Sequence, residues 1–165
     1  WLHGGFDRFR RVGFLMGINI RTKGQQGERE VCQLLENLAR PVLAELGYDI
    51  PYDPPLFQRN QNQSAVGGSV ITNPFNLCIE VKRQEQLNIN AWWKQCKEAS
   101  EAFGGVPIVM YRQNGKRKWN IVMEGYLPIP VTKQLHSRVF LGHDEFEAWF
   151  KTYIRYFVQE HGYES

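Results

Sequence analysis

Across residues 25–46, apolar side chains recur at Val31, Leu34, Leu35, Leu38, Val42, Leu43 and Leu46, the spacing of one helical face. Pro41 falls inside this stretch and is expected to kink the helix or split it in two. Glu28 lies three residues before Val31 and seven before Leu35, so it continues the inward stripe at the first turn. A carboxylate there either serves a site or complements the positive end of the helix dipole. A proline-rich link after Gly47 leads to short strands expected at 56–59 and 69–72, with the polar loop Asn60-Gln61-Asn62-Gln63-Ser64 between them and a turn at Asn73-Pro74. The run Leu77-Cys78-Ile79-Glu80-Val81-Lys82 reads as a third strand. Ile89, Trp92, Trp93, Cys96, Ala99, Ser100 and Phe103 then trace a second helix that stops at Gly104-Gly105. Strands at 107–112 and 119–123 flank Gln113-Asn114-Gly115-Lys116, where Asn-Gly marks a hairpin because both residues tolerate positive φ. The pattern fades after Gly125. From Asp144 it returns as an aromatic stripe, Phe146, Trp149, Phe150, Tyr153, Ile154, Phe157 and Val158, with Asp144 and Glu147 spaced as a capping box and Gly162 as a stop. This stripe is expected to pack on the core or to form a dimer contact.

At 165 residues with 42% apolar and 13% aromatic content, the chain can bury a core, which argues against wholesale disorder. The pattern divides it into an extension over 1–20 expected to be poorly ordered, a core over 21–125, and a C-terminal extension over 126–165 carrying the amphipathic helix. No internal repeat is visible. The net charge of +3 points only mildly to a polyanionic partner, because 20 basic residues nearly balance 17 acidic ones. Cys32, Cys78 and Cys96 lie in or beside apolar runs with no Cys-x-x-Cys pairing, as reduced core residues of a cytoplasmic protein do. The four histidines lack zinc-site spacing, and no stretch is long enough to span a membrane.

Alternation along the third strand puts Leu77, Ile79 and Val81 on one face and Cys78, Glu80 and Lys82 on the other. A carboxylate and an ammonium thus stand side by side. Phosphodiester hydrolysis needs a hard cation on oxygen ligands, an activated water, and positive charge near the oxygens that become more negative. Glu80 and Lys82 supply part of each. Taken alone, a Glu-x-Lys triplet reads as a surface ion pair on the solvated face of an edge strand, so other features must carry the case.

The ordered set Lys23-Gly24-Gln25-Gln26-Gly27-Glu28-Arg29-Glu30-Val31, Arg59, Gly67-Gly68-Ser69 and Ile79-Glu80-Val81-Lys82 resembles the PD-(D/E)XK nuclease superfamily. Within it, archaeal-type Holliday-junction resolvases and related phage-encoded nucleases are similar. The resemblance implies an α/β, restriction-endonuclease-like fold with a mixed central sheet flanked by helices, and a divalent-metal-dependent endodeoxyribonuclease using Mg²⁺ or Mn²⁺. It implies that Glu28 helps hold the metal or its water, that Glu80 and the backbone carbonyl of Val81 bind the metal, and that Lys82 orients or deprotonates the attacking water. Gln95 resembles a helix glutamine near such sites. The second metal-binding Asp of the family is expected at Val70, which has no oxygen to offer. Activity is therefore expected to be impaired, unless Ser69, Asn73 or Glu85 supplies the ligand. A non-catalytic DNA-binding protein of the same fold is the alternative. DNA, branched junctions included, is the expected partner, met by a homodimer. Lys23, Arg59, Arg83, Lys94, Lys116, Arg117 and Lys118 are the expected phosphate contacts.

Overall fold

The computed structural model describes the backbone of residues 4–60 and 70–163, and the side chains of 23–60 and 70–163. The Gly67-Gly68-Ser69 motif, most of the polar loop and the side chains of the N-terminal arm lie outside these residues. Helix α1 (Gly4–Glu45) starts well before residue 25 and continues through Pro41. Pro41 is tolerated because its ring faces solvent while Leu38, Ala39, Val42 and Leu43 on both sides of it are buried and hold the helix on the core.

Two of the expected strands do not form as strands. Residues 56–59 and 69–72 contribute only the isolated antiparallel bridges Gln58↔Thr72 and Val70↔Glu80. Their backbone is held instead by side chains. Glu36 accepts the Phe57 N–H at 2.8 Å and the Arg40 guanidinium at 2.7 Å, while Arg40 donates to the carbonyls of Ile50 and Pro51 at 3.0 and 3.1 Å. The proline-rich link is thereby tied to α1. Asn73 donates to the Ile71 and Leu77 carbonyls and accepts the Phe75 and Leu77 N–H groups, which makes it the hub of the turn into the next strand.

The sheet has the order β1 (Leu77–Arg83), β2 (Val106–Arg112), β3 (Asn120–Ile129) and β4 (Lys133–Leu141). β1 and β2 run parallel, and the other two pairings are antiparallel. Helix α2 (Ile89–Phe103) makes the crossover between the parallel pair, with the bounds that the periodicity predicts. Gly105 follows it at φ +97°, and a Cβ there would stand 3.1 Å from the Cys78 backbone nitrogen. Only glycine fits that turn. At the β2–β3 turn, Gly115 takes positive φ and Asn114 does not. The unpatterned tail after Gly125 is a long ribbon in which β3 pairs with β4 from Ile121↔Leu141 out to Ile129↔Lys133.

Alternation divides the core in two. Leu77, Ile79, Val81, Ile108, Met110, Ile121 and Met123 pack under α1 and helix α3 (His143–His161), whereas Cys78, Val109, Tyr111 and Val122 pack under Trp92, Cys96 and Ala99 of α2. The result is a restriction-endonuclease-like α/β layering of helix, mixed sheet and helix. The aromatic stripe of α3 goes into this core: Phe146, Phe150, Ile154 and Val158 are buried, and the Tyr153 hydroxyl donates to the Phe75 carbonyl at 2.8 Å. The capping box is not formed, because Gly142 is the N-cap and Asp144 sits inside the first turn. Glu147 instead meets His143 Nε2 at 2.9 Å, and Asp144 favours the positive helix end through its charge.

Candidate active site

Strand β1 carries Cys78, Glu80 and Lys82 beneath α2, with Glu80 only 3% exposed and Lys82 half-buried. The residue directly opposite Glu80 in the antiparallel bridge is Val70. Side chains paired this way share a face with their Cβ atoms about 5 Å apart. Position 70 is therefore where a second carboxylate would stand against the first. The Ile79 carbonyl accepts the Ile71 N–H at 3.0 Å, so Ile79 turns its backbone polar groups toward that outer edge of β1. Alternation turns the Val81 carbonyl to the same edge. Beside Val70 lies a cleft of about 470 Å³ that Asn60, Thr72, Asn73 and Cys78 also line.

Glu28 stands on the helix of the opposite layer. A Cβ on Gly27 would stand 3.2 Å from Arg83 Cβ, 3.5 Å from Trp119 Cη2 and 3.6 Å from Val81 Cγ1, so the helix lies directly over the end of β1. Glu28 is 8% exposed and receives Arg59 Nε on Oε2 at 2.7 Å. The two acids are both buried and belong to opposite layers, Glu28 to the helix on the α1 side of the sheet and Glu80 to the face of β1 beneath α2. Among the described residues, no three His, Cys, Asp or Glu side chains converge as a metal-binding group. Two carboxylates and a carbonyl match a hard cation in donor type but fall short in number. Two of the expected substitutes for the missing ligand are committed elsewhere: Asn73 to its turn, and Glu85 to Asn114 Nδ2 at 2.9 Å. Ser69 lies outside the described residues.

A neighbouring acid that the sequence reading passed over does the positioning. Glu30 holds Arg83 Nη1 at 3.3 Å and Arg112 Nη2 at 2.5 Å, and the Arg112 guanidinium lies 4.9 Å from the centre of the Trp119 ring. Glu30 therefore clamps α1 to the ends of β1 and β2 at the level of Glu28. Its signal was the pair of arginines that end the two strands in register, Arg83↔Arg112, which require an acid from the covering helix. Glu30→Ala leaves both guanidiniums without their carboxylate. Their partial exposure puts the cost between that of a surface pair and a buried one, about 2 kcal/mol or roughly 4–8 °C in Tm. Thermal melts of the variant against the parent check this.

The other expected site residues divide by what they touch. The flank of α2 facing β3 and β4 carries Asn90, bound by Arg138, and Lys97, paired with Glu124. Gln95 projects from the opposite flank, toward the β1 edge, and is exposed. Arg59 and Arg83 are half-buried in ion pairs with Glu28 and Glu30. Lys118 pairs with Asp144 at 3.1 Å on the surface, and Lys23, Lys94, Lys116 and Arg117 are exposed.

The cysteines are free, as their setting predicts. Burial, followed by the charge of Glu28, pushes the Cys32 thiol up to about 11 from 9.0. A hydrogen bond with Cys78, followed by burial, also pushes Cys96 up. A group whose folded pKa is raised stabilises the fold fully below its unfolded pKa and loses that contribution as pH climbs toward the folded value. Stability should therefore fall between pH 9 and 11, and Cys32→Ala should flatten that fall in urea titrations.

The sequence matches the family described as "Phage putative PDDEXK endonuclease" over residues 19–154. The chain belongs to this family. The match runs from within α1 into α3, so it takes in both acids, the lysine, the whole sheet and α2. Glu80-Val81-Lys82 has the acid-x-Lys form that the PDDEXK name spells, and it stands on β1, at one edge of the four-stranded sheet. A search of curated proteins found no match. The family is one of nucleases, so nuclease chemistry is the class of activity that membership suggests and DNA the class of substrate it implies. No helix among the described residues is long and apolar enough to cross a membrane.

Proposed function

We propose that this chain is a divalent-metal-dependent endodeoxyribonuclease whose centre lies at the outer edge of β1, and that Val70 impairs it. The observation that carries this reading is the bridge between Val70 and Glu80, which sets a side chain without oxygen directly against the buried strand carboxylate. Glu80, the Val81 carbonyl and Glu28 would hold Mg²⁺ or Mn²⁺, the hard cations that such oxygens suit. When bound, the ion supplies a polarised phosphoryl oxygen and a water of lowered pKa. The chain's own part is positional. Lys82, two residues from Glu80 on the same face, holds the attacking water through its Nζ and offsets charge on the phosphate. Arg59 fixes Glu28 by donating its Nε–H to Oε2 at 2.7 Å. The exposed Lys23, Lys94, Lys116 and Arg117 hold the DNA backbone without reading sequence.

Val70 itself favours a second reading, a DNA-binding protein that keeps the nuclease fold and lacks the chemistry. Branched DNA, Holliday junctions included, is the substrate to test beside duplex and flap forms. A twofold junction would be met by a homodimer, and because the α3 stripe is covered within one chain its contact must use another surface. The deciding experiment compares the natural chain with Val70→Asp on these DNAs with Mg²⁺ and Mn²⁺. If the restored chain binds DNA and cuts none of them, the catalytic reading fails and the binding reading stands.

A further inference from the structure

The β3–β4 ribbon is too exposed and too apolar to be explained by the fold. β2 accompanies β3 only as far as Met123, so from Glu124 onward β3 has β4 alone as a neighbour. β2 begins at Val106, which the register sets level with Gly125, so the four residues from Tyr126 to Ile129, at about 3.3 Å each, carry the paired strands roughly 13 Å beyond the sheet. Leu127, Ile129, Val131 and Leu135 lie exposed along this projection. At the tip, Val131 and Thr132 both adopt positive φ, 65° and 60°, and Val131 is 81% exposed. A β-branched residue in the left-handed region is strained, and here no packing compensates it. A glycine or asparagine would make the same turn without that cost.

Charge identifies the occupant. From Gly125 to Leu141 the chain has no Asp or Glu, while it carries Lys133, His136 and Arg138, none of which pairs with a carboxylate among the described residues. Two ribbons of this kind would repel each other, and Lys133 and Arg138 on the edge strand oppose its extension by a second copy. A polyanion is attracted instead. Width then decides the mode: two strands about 4.8 Å apart with their side chains span roughly 10 Å, which enters a major groove of about 12 Å and not a minor groove of about 6 Å.

We propose that this ribbon is a DNA-gripping arm that enters the major groove of duplex DNA flanking the cleavage position. The proposal rests on the nuclease reading. Its aliphatic tip meets base edges and thymine methyls, and Lys133 meets phosphate. At the base, Arg138 Nη1 donates to Asn90 Oδ1 of α2 at 2.8 Å, which fixes the arm to the layer that covers Glu80. Phe140 lies in the same row across the sheet as Glu80, through Val109 and Val122. The nine residues from Phe140 back to Val131 set the tip about 30 Å away along the strands, so its contact falls up to roughly nine base pairs from the cut.

The test uses the full chain, a labelled duplex of about 40 base pairs, and two variants. Val131→Asn suits the turn, so its Tm should equal or exceed the parent's. Its duplex affinity should fall about tenfold, and its footprint should lose contacts on one side. Lys133→Gln should lower the slope of log K against log salt by about 1. If the parent binds duplex and both variants match it in affinity, slope and footprint, the arm is wrong and the nuclease reading survives. A change in sedimentation with unchanged affinity per protomer would overturn it in favour of a second copy. Failure of the parent to bind any DNA would bring down both.

Discussion

Val70→Asp is expected to raise metal-dependent DNA cleavage by about 10²–10³-fold, the range that one well-placed group holding transition-state charge is worth. The substitution adds a carboxylate about 5 Å from the Glu80 side chain, in a position that the antiparallel bridge fixes. The same step should weaken the metal-free fold. Two carboxylates at that distance repel by roughly 3 kcal/mol at an effective dielectric of 20, and the pair relieves part of this by sharing a proton. A divalent ion removes the repulsion and binds only the folded state, so at a hundredfold excess over its Kd it should restore about 2.7 kcal/mol. Melts with and without Mg²⁺ or Mn²⁺ and cleavage assays read the two effects separately. A natural chain that cuts as fast as the variant would mean that the ligand comes from elsewhere.

The parts of the fold legible in the sequence were those whose elements bury one periodic face. Residues 89–103 and the strand beginning at Leu77 show alternation or a 3.6-residue spacing strong enough to fix their bounds within a residue. The runs near Phe57 and Ile71 are as apolar, but buried side chains of α1 and the amide of Asn73 satisfy their backbone. Propensity alone does not distinguish a ladder from such a bridge. The β3–β4 ribbon was illegible because both its faces are largely exposed beyond Gly125, so no alternation marks it.

The site was partly legible for a related reason. Glu80 and Lys82 share a face by strand geometry, and Glu28 extends a helical stripe, so their placement follows from period. Where Arg59 and Arg83 would point does not. Both look like phosphate ligands in the sequence, and both are held by acids of α1, from 31 and 53 residues away in the chain. Such pairings depend on how the helix crosses the sheet, which the close approach of Gly27 to Arg83 sets.

In the Val70→Asp background, Glu80→Gln should abolish cleavage, by at least about 10³-fold, while raising the metal-free Tm. The opposite signs follow from one cause. Glu80 is 3% exposed and would face the new carboxylate, so replacing its charge with a neutral amide of the same shape relieves repulsion and keeps hydrogen-bonding capacity. The relief should amount to about 1–3 kcal/mol, or several degrees in a chain of this length. The same change removes the charge on which the cation depends, so the Tm should no longer rise with Mn²⁺. A residue of purely structural importance would lose stability and activity together. Stability lost with cleavage retained would move the metal centre away from β1, and a Tm that still rises with Mn²⁺ would show that the ion is held by other residues.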